Sequence, residues 1–222
     1  MKPLYKICWT ILRVYIRVFC KLQVFGIGNV PRSGGVIVAS NHISAGDPPF
    51  VGASIRRESF FLAKKELFRN FFLRVLISNL NSIPVDRSTL DQSAIEAAEN
   101  ALRGGFVLIL FPEGTRSKTG ELKKGKPGVG LLARRASVPI VPAYIQNSRR
   151  SYKLMFGPKR LIINFGETIS ADWINSQPDT NDGYRLIAEE TMSRIAELEN
   201  KARNNIAAPT LEDSQTHQKP FA

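Results

Sequence analysis

A histidine and an aspartate lie five residues apart in the polar segment at residues 40–49. The chain has one other histidine, in its polar C-terminal part, so His42 is the candidate for proton transfer near neutral pH. Gly46 permits a turn, and Pro48 suits the first position of a helix with Asp47 as its N-cap. Asp47 would then fix one imidazole tautomer and leave the other nitrogen to take a proton from a hydroxyl. Taken alone, the segment is better explained by a loop histidine and a capping aspartate without chemistry.

Two further polar motifs follow apolar runs. The first, residues 83–87, ends in an acid and an arginine. In the second, residues 111–117, Gly114 allows close backbone approach, Thr115 offers a hydroxyl and Arg116 a planar fork for an anion. Each motif also fits a simpler reading, as a surface ion pair or an ordinary polar turn at the end of a strand.

The three motifs share a position, directly after a candidate strand. Ligand sites in α/β sheets collect at the carboxyl ends of the strands. We therefore expect a base (His42), its orienting acid (Asp47) and two anion-binding arginines (Arg87 and Arg116) to converge. That set suits the deprotonation of a hydroxyl on a phosphorylated molecule, which then attacks an activated acyl group.

Alternating short apolar runs and helical patterns predict an α/β fold in one domain, with a sheet layered between helices. The predicted strands are at residues 36–39, 59–63, 82–85, 106–111, 138–145 and 161–165. The predicted helices are at residues 88–102, 126–136 and 182–203. In the first of these helices Ser88 or Thr89 is the expected N-cap and Asp91 lies in the first turn.

The first 25 residues predict an amphipathic helix, over residues 3–24, that lies on a membrane. Charges interrupt every apolar run, which argues against a transmembrane helix or a signal peptide. On a helix the basic residues share one narrow stripe, opposite a broad apolar face that includes Tyr15, with Trp9 nearer the flank. The alternative is a helix that packs on its own domain or on a second subunit.

The remaining chain divides at a glycine- and proline-rich break. Residues 26–204 are predicted to be the folded domain. Residues 205–222 are polar and without periodicity, so a disordered tail is expected there. Two cysteines, Cys8 and Cys20, form neither a disulfide framework nor a metal motif, which indicates a reduced, cytosol-facing protein.

The charge balance indicates an anionic partner, because the chain has 31 lysines and arginines but only 19 aspartates and glutamates, and its formal net charge is +12. Nucleic acid, an anionic membrane or a phosphorylated substrate would all fit. Aromatic residues are not interleaved with the basic ones, which argues against nucleic acid. A peripheral scaffold protein would explain the first helix but not the motifs, and a lipid hydrolase would be expected to carry a Gly-x-Ser-x-Gly turn, which this sequence lacks.

Four motifs together resemble the four ordered sequence blocks of the glycerolipid acyltransferases, and most closely those of the lysophosphatidate acyltransferases. They are Asn41-His42-x4-Asp47, then residues 83–87, 111–116 and 138–143. The similarity spans roughly residues 25–170. One departure is Asn81, where the family often has glycine; since asparagine tolerates unusual backbone angles, a local difference is expected there.

The resemblance implies a role for each matched residue. It implies that His42 is the general base, Asp47 its partner and Arg87 a phosphate contact. It implies that the acceptor-binding loop consists of Glu113, Gly114, Thr115 and Arg116. Two lysines, Lys64 and Lys65, match a further basic block near the active site, and the 138–143 segment is expected to shape the acyl or acceptor channel.

The implied reaction moves an acyl group from acyl-CoA or acyl-carrier protein to the sn-2 hydroxyl of 1-acyl-glycerol-3-phosphate, giving phosphatidic acid. It needs no cofactor and no metal, because the donor thioester is already activated, and direct transfer through a ternary complex is expected. The implied location is the cytoplasmic face of an anionic membrane. The alternatives are another lysolipid acceptor (a lysophospholipid or a lyso-amino-acid lipid) and, without catalysis, a basic peripheral membrane-binding or nucleic-acid-binding protein.

Overall fold

The computed structural model describes residues 3–86, 91–149, 151–154 and 156–207. Within these ranges the helices are α1 (Pro3–Val18), α2 (Asp47–Ser54), α3 (Phe71–Asn79), α4 (Gln92–Arg103), α5 (Gly128–Ala136), α6 (Ala171–Ser176) and α7 (Asn181–Ala207). The strands are β1 (Gln23–Phe25), β2 (Val36–Ser40), β3 (Ser59–Lys64), β4 (Ser82–Val85), β5 (Val107–Leu110), β6 (Ile140–Gln146) and β7 (Ile162–Phe165). Short 3-10 turns occur at Ile27–Asn29, Lys65–Arg69 and Ser151–Lys153.

The strands of the described residues form one seven-stranded sheet in the order β1-β7-β6-β2-β5-β3-β4. Strands β6, β2, β5, β3 and β4 are parallel, β7 is antiparallel to β6, and β1 is parallel to β7. The carboxyl ends of the five parallel strands therefore meet at one edge of the sheet. The polar motifs follow several of these ends, so the topology brings them together.

Helices cover both faces of the sheet, as predicted. One core contains Ile16 of α1 and Val51 of α2, and the other contains Ala98 of α4 and Ile187 of α7. The central strand β2 is buried along its whole length. Burial on both faces explains why residues 36–39 of this strand are all apolar rather than alternating with polar residues.

The sheet extends into the segment that the sequence assigns to the first helix. Helix α1 ends at Val18, earlier than the predicted end at residue 24, and Lys21 takes a left-handed conformation with φ of 51°. The chain then turns back, and Gln23 donates its N–H to the carbonyl of Leu161. Residues 23–25 thus become edge strand β1, because their backbone groups pair with the distant strand β7.

Other predicted boundaries shift for local reasons. Helix α4 has Asp91 as its N-cap, with the carboxylate accepting the Ala94 N–H at 3.1 Å, so the predicted placement of Asp91 in the first turn is wrong. The predicted caps Ser88 and Thr89 lie outside the described residues. Asn81 has a positive φ of 56°, the local peculiarity expected there.

The C-terminal helix is longer than the sequence predicts. Helix α7 continues to Ala207, four residues past the predicted helix end and three into the predicted tail. The rest of that tail, residues 208–222, lies outside the described residues.

Helix α1 is anchored to the domain by one side and exposed on the other. The Tyr5 hydroxyl accepts the Ser59 N–H at 3.0 Å, and the Trp9 indole donates to the carbonyls at the end of α2. Exposed apolar side chains on α1 include Ile7, Ile11, Val14 and Val18. Of the helices in the described ranges, none has the length and apolar character that crossing a bilayer requires.

Arg57 joins three loops at the amino edge of the sheet. Its guanidinium donates to the carbonyls of Pro31 and Gly105 at 2.6 Å each, and to that of Gly34. Burial lowers the pKa of Arg57. One planar fork thus satisfies carbonyls from two connections, those that precede β2 and β5, and links both to the loop before β3 that carries Arg57.

We predict that Arg57→Ala lowers the free energy of unfolding by about 2 kcal/mol, because it leaves these carbonyls without their donor. Denaturant unfolding measures the change. Arg185→Ala is the control, since it removes an exposed arginine whose ion pair with Asp182 on α7 contributes about 0.5 kcal/mol or less. An equal loss in the two variants would contradict the role assigned to Arg57.

Candidate active site

The candidate base lies just past the carboxyl end of the central strand β2. His42 is 7% exposed, and its ring stacks on the ring of Phe111, which follows the neighbouring strand β5. The two ring centroids are 4.2 Å apart, with planes inclined by 25°. The sheet order thus places the imidazole between two loops that are far apart in sequence.

The Asp47 carboxylate organises the loop around the base. Its Oδ2 accepts hydrogen bonds from Nδ1 of His42 at 2.9 Å and from the N–H groups of Ile43 and Ser44 at 2.7 Å each. Its Oδ1 accepts a hydrogen bond from the hydroxyl of Ser148, which follows strand β6. The side chain has no solvent exposure, so these hydrogen bonds replace the water that a buried carboxylate loses.

Asp47 is not the N-cap that the sequence predicts. Helix α2 begins at Asp47 itself, Gly46 holds the N-cap position, and no side chain bonds there. The carboxylate instead turns back to the preceding loop, where it accepts two N–H groups and the imidazole. The predicted pairing of His42 with Asp47 is nevertheless present in the geometry.

The 111–117 loop holds the main chain of His42 from both sides. The Glu113 Oε1 accepts the His42 N–H at 3.0 Å, and the Ser117 N–H donates to the His42 carbonyl at 2.7 Å. With the ring of Phe111 against the imidazole, three residues of this loop contact His42. The loop therefore positions the base, a role that the motif alone does not reveal.

Glu113 faces the protein rather than the solvent. Its side chain is 3% exposed, and its Oε2 has no hydrogen-bond partner among the described residues. Burial raises the pKa of Glu113, against the lowering effects of the His42 N–H and the Lys123 charge. The resemblance assigns Glu113 to acceptor binding, whereas the geometry places it beneath the base.

The other predicted loop residues divide between two cavities. Arg116 is exposed and, with His42, lines a cavity of about 600 Å³ that is otherwise largely apolar. Gly114 and Thr115 line a second cavity of about 450 Å³, beside α4 and α5. Gly114 has φ of 72°, and the side chain of Lys126 lies 3.0 Å from the position that a Cβ there would take.

The larger cavity lies between α1, α2, α3 and the end of β3. Its apolar lining includes Trp9, Leu12, Phe61, Leu73, Ile77 and Leu80. Lys64 contributes to this lining, and its ammonium pairs with Glu66 at 2.9 Å. Lys65 is exposed and lines neither cavity, and Arg87 lies outside the described residues.

Two residues that position the site, Ser148 and Asn41, were not predicted from the sequence. Ser148 is 101 residues from its partner Asp47. Asn41, although part of the matched motif, had no assigned role; its amide accepts the Ile145 N–H at 2.7 Å and donates to the Ile145 carbonyl at 3.1 Å. These bonds continue the pairing of β2 with β6 past the end of β2. A polar residue directly after a buried strand is the available signal, but it does not identify the partner.

The fold and this site define a class of enzyme. The sequence matches the Acyltransferase family over residues 21–146, and the chain belongs to that family.

Within the family, its relatives include 1-acyl-sn-glycerol-3-phosphate acyltransferases. That of Bacillus subtilis is 30% identical over 200 residues, which are 89% of this chain and 98% of the relative. That of Pseudomonas aeruginosa is 30% identical over 82% of this chain and 72% of its own length. That of Borreliella burgdorferi is 28% identical over 67% of this chain, which spans 58% of the relative.

A solved structure shares the fold. The crystal structure of the 1-acyl-sn-glycerophosphate (LPA) acyltransferase of Thermotoga maritima superimposes with a TM-score of 0.69 at 24% identity. The match covers 89% of this chain and 79% of the other. It confirms the predicted α/β fold and its layers.

We predict that Ser148→Ala lowers kcat for acyl transfer about tenfold with little change in KM, because Asp47 loses a donor and no longer fixes the imidazole firmly. Steady-state kinetics measures both constants. Ser54→Ala is the matched control, since it removes a buried hydroxyl of α2 that donates to the Phe50 carbonyl and does not contact Asp47. A similar fall in kcat in both variants would show that Ser148 has no special role.

We predict that Glu113→Ala lowers the free energy of unfolding by about 2 kcal/mol, because the buried His42 N–H loses its acceptor. Glu113→Gln keeps an acceptor and is the matched control. Since burial raises the folded-state pKa, the carboxyl contributes stability below the ordinary glutamate value of 4.5, and this contribution is lost as the pH rises through the folded-state value. As the pH rises from 4.5 through the folded-state pKa of Glu113, denaturant unfolding should show the parent chain losing stability relative to Glu113→Gln. A difference in the free energy of unfolding that stays constant with pH would contradict the claim that burial raises this pKa.

Proposed function

We propose that this protein transfers an acyl group from a thioester donor to the sn-2 hydroxyl of 1-acyl-glycerol-3-phosphate, forming phosphatidic acid. The observation that carries the proposal is an imidazole bound through Nδ1 to a buried carboxylate, on the wall of an apolar cavity of about 600 Å³. The several relatives named for this activity support the choice of acceptor.

The base has the geometry for one proton transfer. Because Nδ1 of His42 is hydrogen-bonded to Asp47, Nε2 is the nitrogen that accepts the proton of the attacking hydroxyl. The hydroxyl oxygen bonds to the thioester carbon, the carbon–sulfur bond breaks, and the proton passes from the imidazolium to the leaving sulfur. Asp47 stabilises the imidazolium between these steps and stays ionised.

Direct transfer accounts for the residues at the site. Among the described residues, no serine or cysteine side chain is hydrogen-bonded to the imidazole, as an acyl-enzyme nucleophile would be. The donor, acyl-CoA or acyl-carrier protein, already carries an activated acyl group. The proposed chemistry therefore uses no cofactor and no metal.

The surroundings of His42 suit two lipid-like substrates. The apolar lining of the cavity favours an acyl chain. Arg116 lines the same cavity and offers a guanidinium to the phosphate of the acceptor. We assign Arg87 and Lys64, which also lines this cavity, to the same anionic groups, whereas Gly114 and Thr115 line the second cavity.

The protein is proposed to work on an anionic membrane, at its cytoplasmic face. Helix α1 exposes apolar side chains such as Ile11, which is 65% exposed, and carries Lys6, Arg13 and Arg17. Such a helix lies at the boundary between headgroups and acyl chains without crossing the bilayer. Both cysteines are free, in keeping with a reducing compartment.

We predict that His42→Ala lowers kcat by at least about a hundredfold, because the hydroxyl loses its base. The assay offers the purified protein a panel of lysolipids with acyl-CoA or acyl-carrier protein as donor. The parent chain should consume 1-acyl-glycerol-3-phosphate in preference to lysophospholipids with larger headgroups.

Three outcomes would count against the proposal. Undiminished acyl transfer by His42→Ala would show that His42 is not the base. Preference for another lysolipid would show that 1-acyl-glycerol-3-phosphate is not the acceptor. An acyl group trapped covalently on the protein during turnover would exclude direct transfer. The unfolding transition of His42→Ala serves as the control for intact structure.

A further inference from the structure

Helix α3 exposes an unusually apolar surface. None of its nine residues, all of which the structure describes, is buried. Phe72 is 81% exposed, Phe71 61%, and Val75 and Leu76 44% each. Leaving adjacent phenylalanines and aliphatic side chains in water is unfavourable, and a continuous apolar patch of this kind marks a contact surface.

Helix α3 also forms a wall of the larger cavity. Leu73, Leu76 and Ile77 of α3 line it, so the exposed apolar surface continues into the cavity at Leu76. Trp9 and Leu12 of α1 line the cavity as well. The cavity that contains His42 therefore lies between two helices, each of which exposes apolar side chains.

The charge around α3 is predominantly positive. Residues 64–80 carry Lys64, Lys65, Arg69 and Arg74 against the single acid Glu66, which pairs with Lys64. The Arg74 guanidinium lies 5.6 Å from the centre of the Phe71 ring. Phenylalanines beside cationic side chains match a boundary of acyl chains and anionic headgroups.

We propose that α3 is a second lipid-docking element, whose Phe71–Phe72 end enters an anionic bilayer surface together with α1. A bilayer that contacts both helices touches both walls of the cavity between them. Lipid substrates can then move between the bilayer and the His42 cavity with their acyl chains shielded from water. The surface itself follows from exposure and charge; only the identity of the lipid that enters rests on the proposed function.

The test measures vesicle binding by the full chain. Phe71→Ser/Phe72→Ser should weaken flotation with vesicles of equimolar phosphatidylcholine and phosphatidylglycerol by about tenfold or more, since two large apolar side chains no longer enter the lipid. Leu186→Ser is the matched control, because Leu186 is 48% exposed on α7, on the opposite face of the sheet, and its loss should not change binding. Both changed positions are exposed, so unfolding transitions should match the parent chain.

A second variant locates α3 in the lipid directly. Phe72→Trp should gain fluorescence quenching by brominated lipids beyond that of the parent chain, whereas Leu186→Trp should gain none. Unchanged binding by the double serine variant, or no added quenching of Phe72→Trp, would overturn the proposal. So would a dimer, seen by sedimentation velocity, that the double variant abolishes while vesicle binding persists, since the patch would then bind a second copy.

The readouts separate this inference from the proposed function. Vesicle binding needs no turnover, so it reports on α3 even if the chain transfers no acyl group. Acyl transfer by the parent chain, measured on the same preparation with detergent-dispersed substrates, reports on the reaction alone. A negative result in the vesicle assay would therefore not contradict the proposed reaction, and a negative result in the transfer assay would not contradict lipid docking by α3.

Discussion

The site depends on one buried carboxylate. Asp47 has no contact with solvent, so its charge must be matched by protein donors, and it accepts four: an imidazole, two main-chain N–H groups and the hydroxyl of Ser148. These donors come from the loop after β2 and from the end of β6. Removing any of them leaves part of a buried charge unsatisfied, which is among the costlier defects in a folded protein. The electrostatic requirement of Asp47 therefore fixes the tautomer and orientation of His42.

A second constraint acts on the backbone of His42. The 111–117 loop supplies an acceptor to its N–H through Glu113 and a donor to its carbonyl through Ser117. The motif thus has two functions, because Arg116 faces the cavity while Glu113 lies buried behind the base. The imidazole is hydrogen-bonded by Asp47 and stacked on Phe111, and the main chain is hydrogen-bonded by Glu113 and Ser117, which leaves the base little freedom to move.

The charged site lies against a lipid-like environment. The base opens onto an apolar cavity, and the two helices beside that cavity expose apolar side chains to the outside. Such an arrangement suits a reaction that joins a polar headgroup to an acyl chain, since each part of the substrate meets matching surroundings. The net charge of +12 then favours approach to anionic surfaces.

The sequence by itself determined the α/β class, most of the parallel strands and the pairing of His42 with Asp47, because these follow from local apolar runs and from residues five positions apart. It missed β1, whose three residues form a strand only through distant β7, and α3, whose pattern is apolar without a clear polar face. The tertiary structure alone decided that Ser148 reaches Asp47 across 101 residues and that Glu113 supports the base. The physical reason is that strand order, which brings β2, β5 and β6 side by side, depends on packing across the whole chain and not on any local pattern.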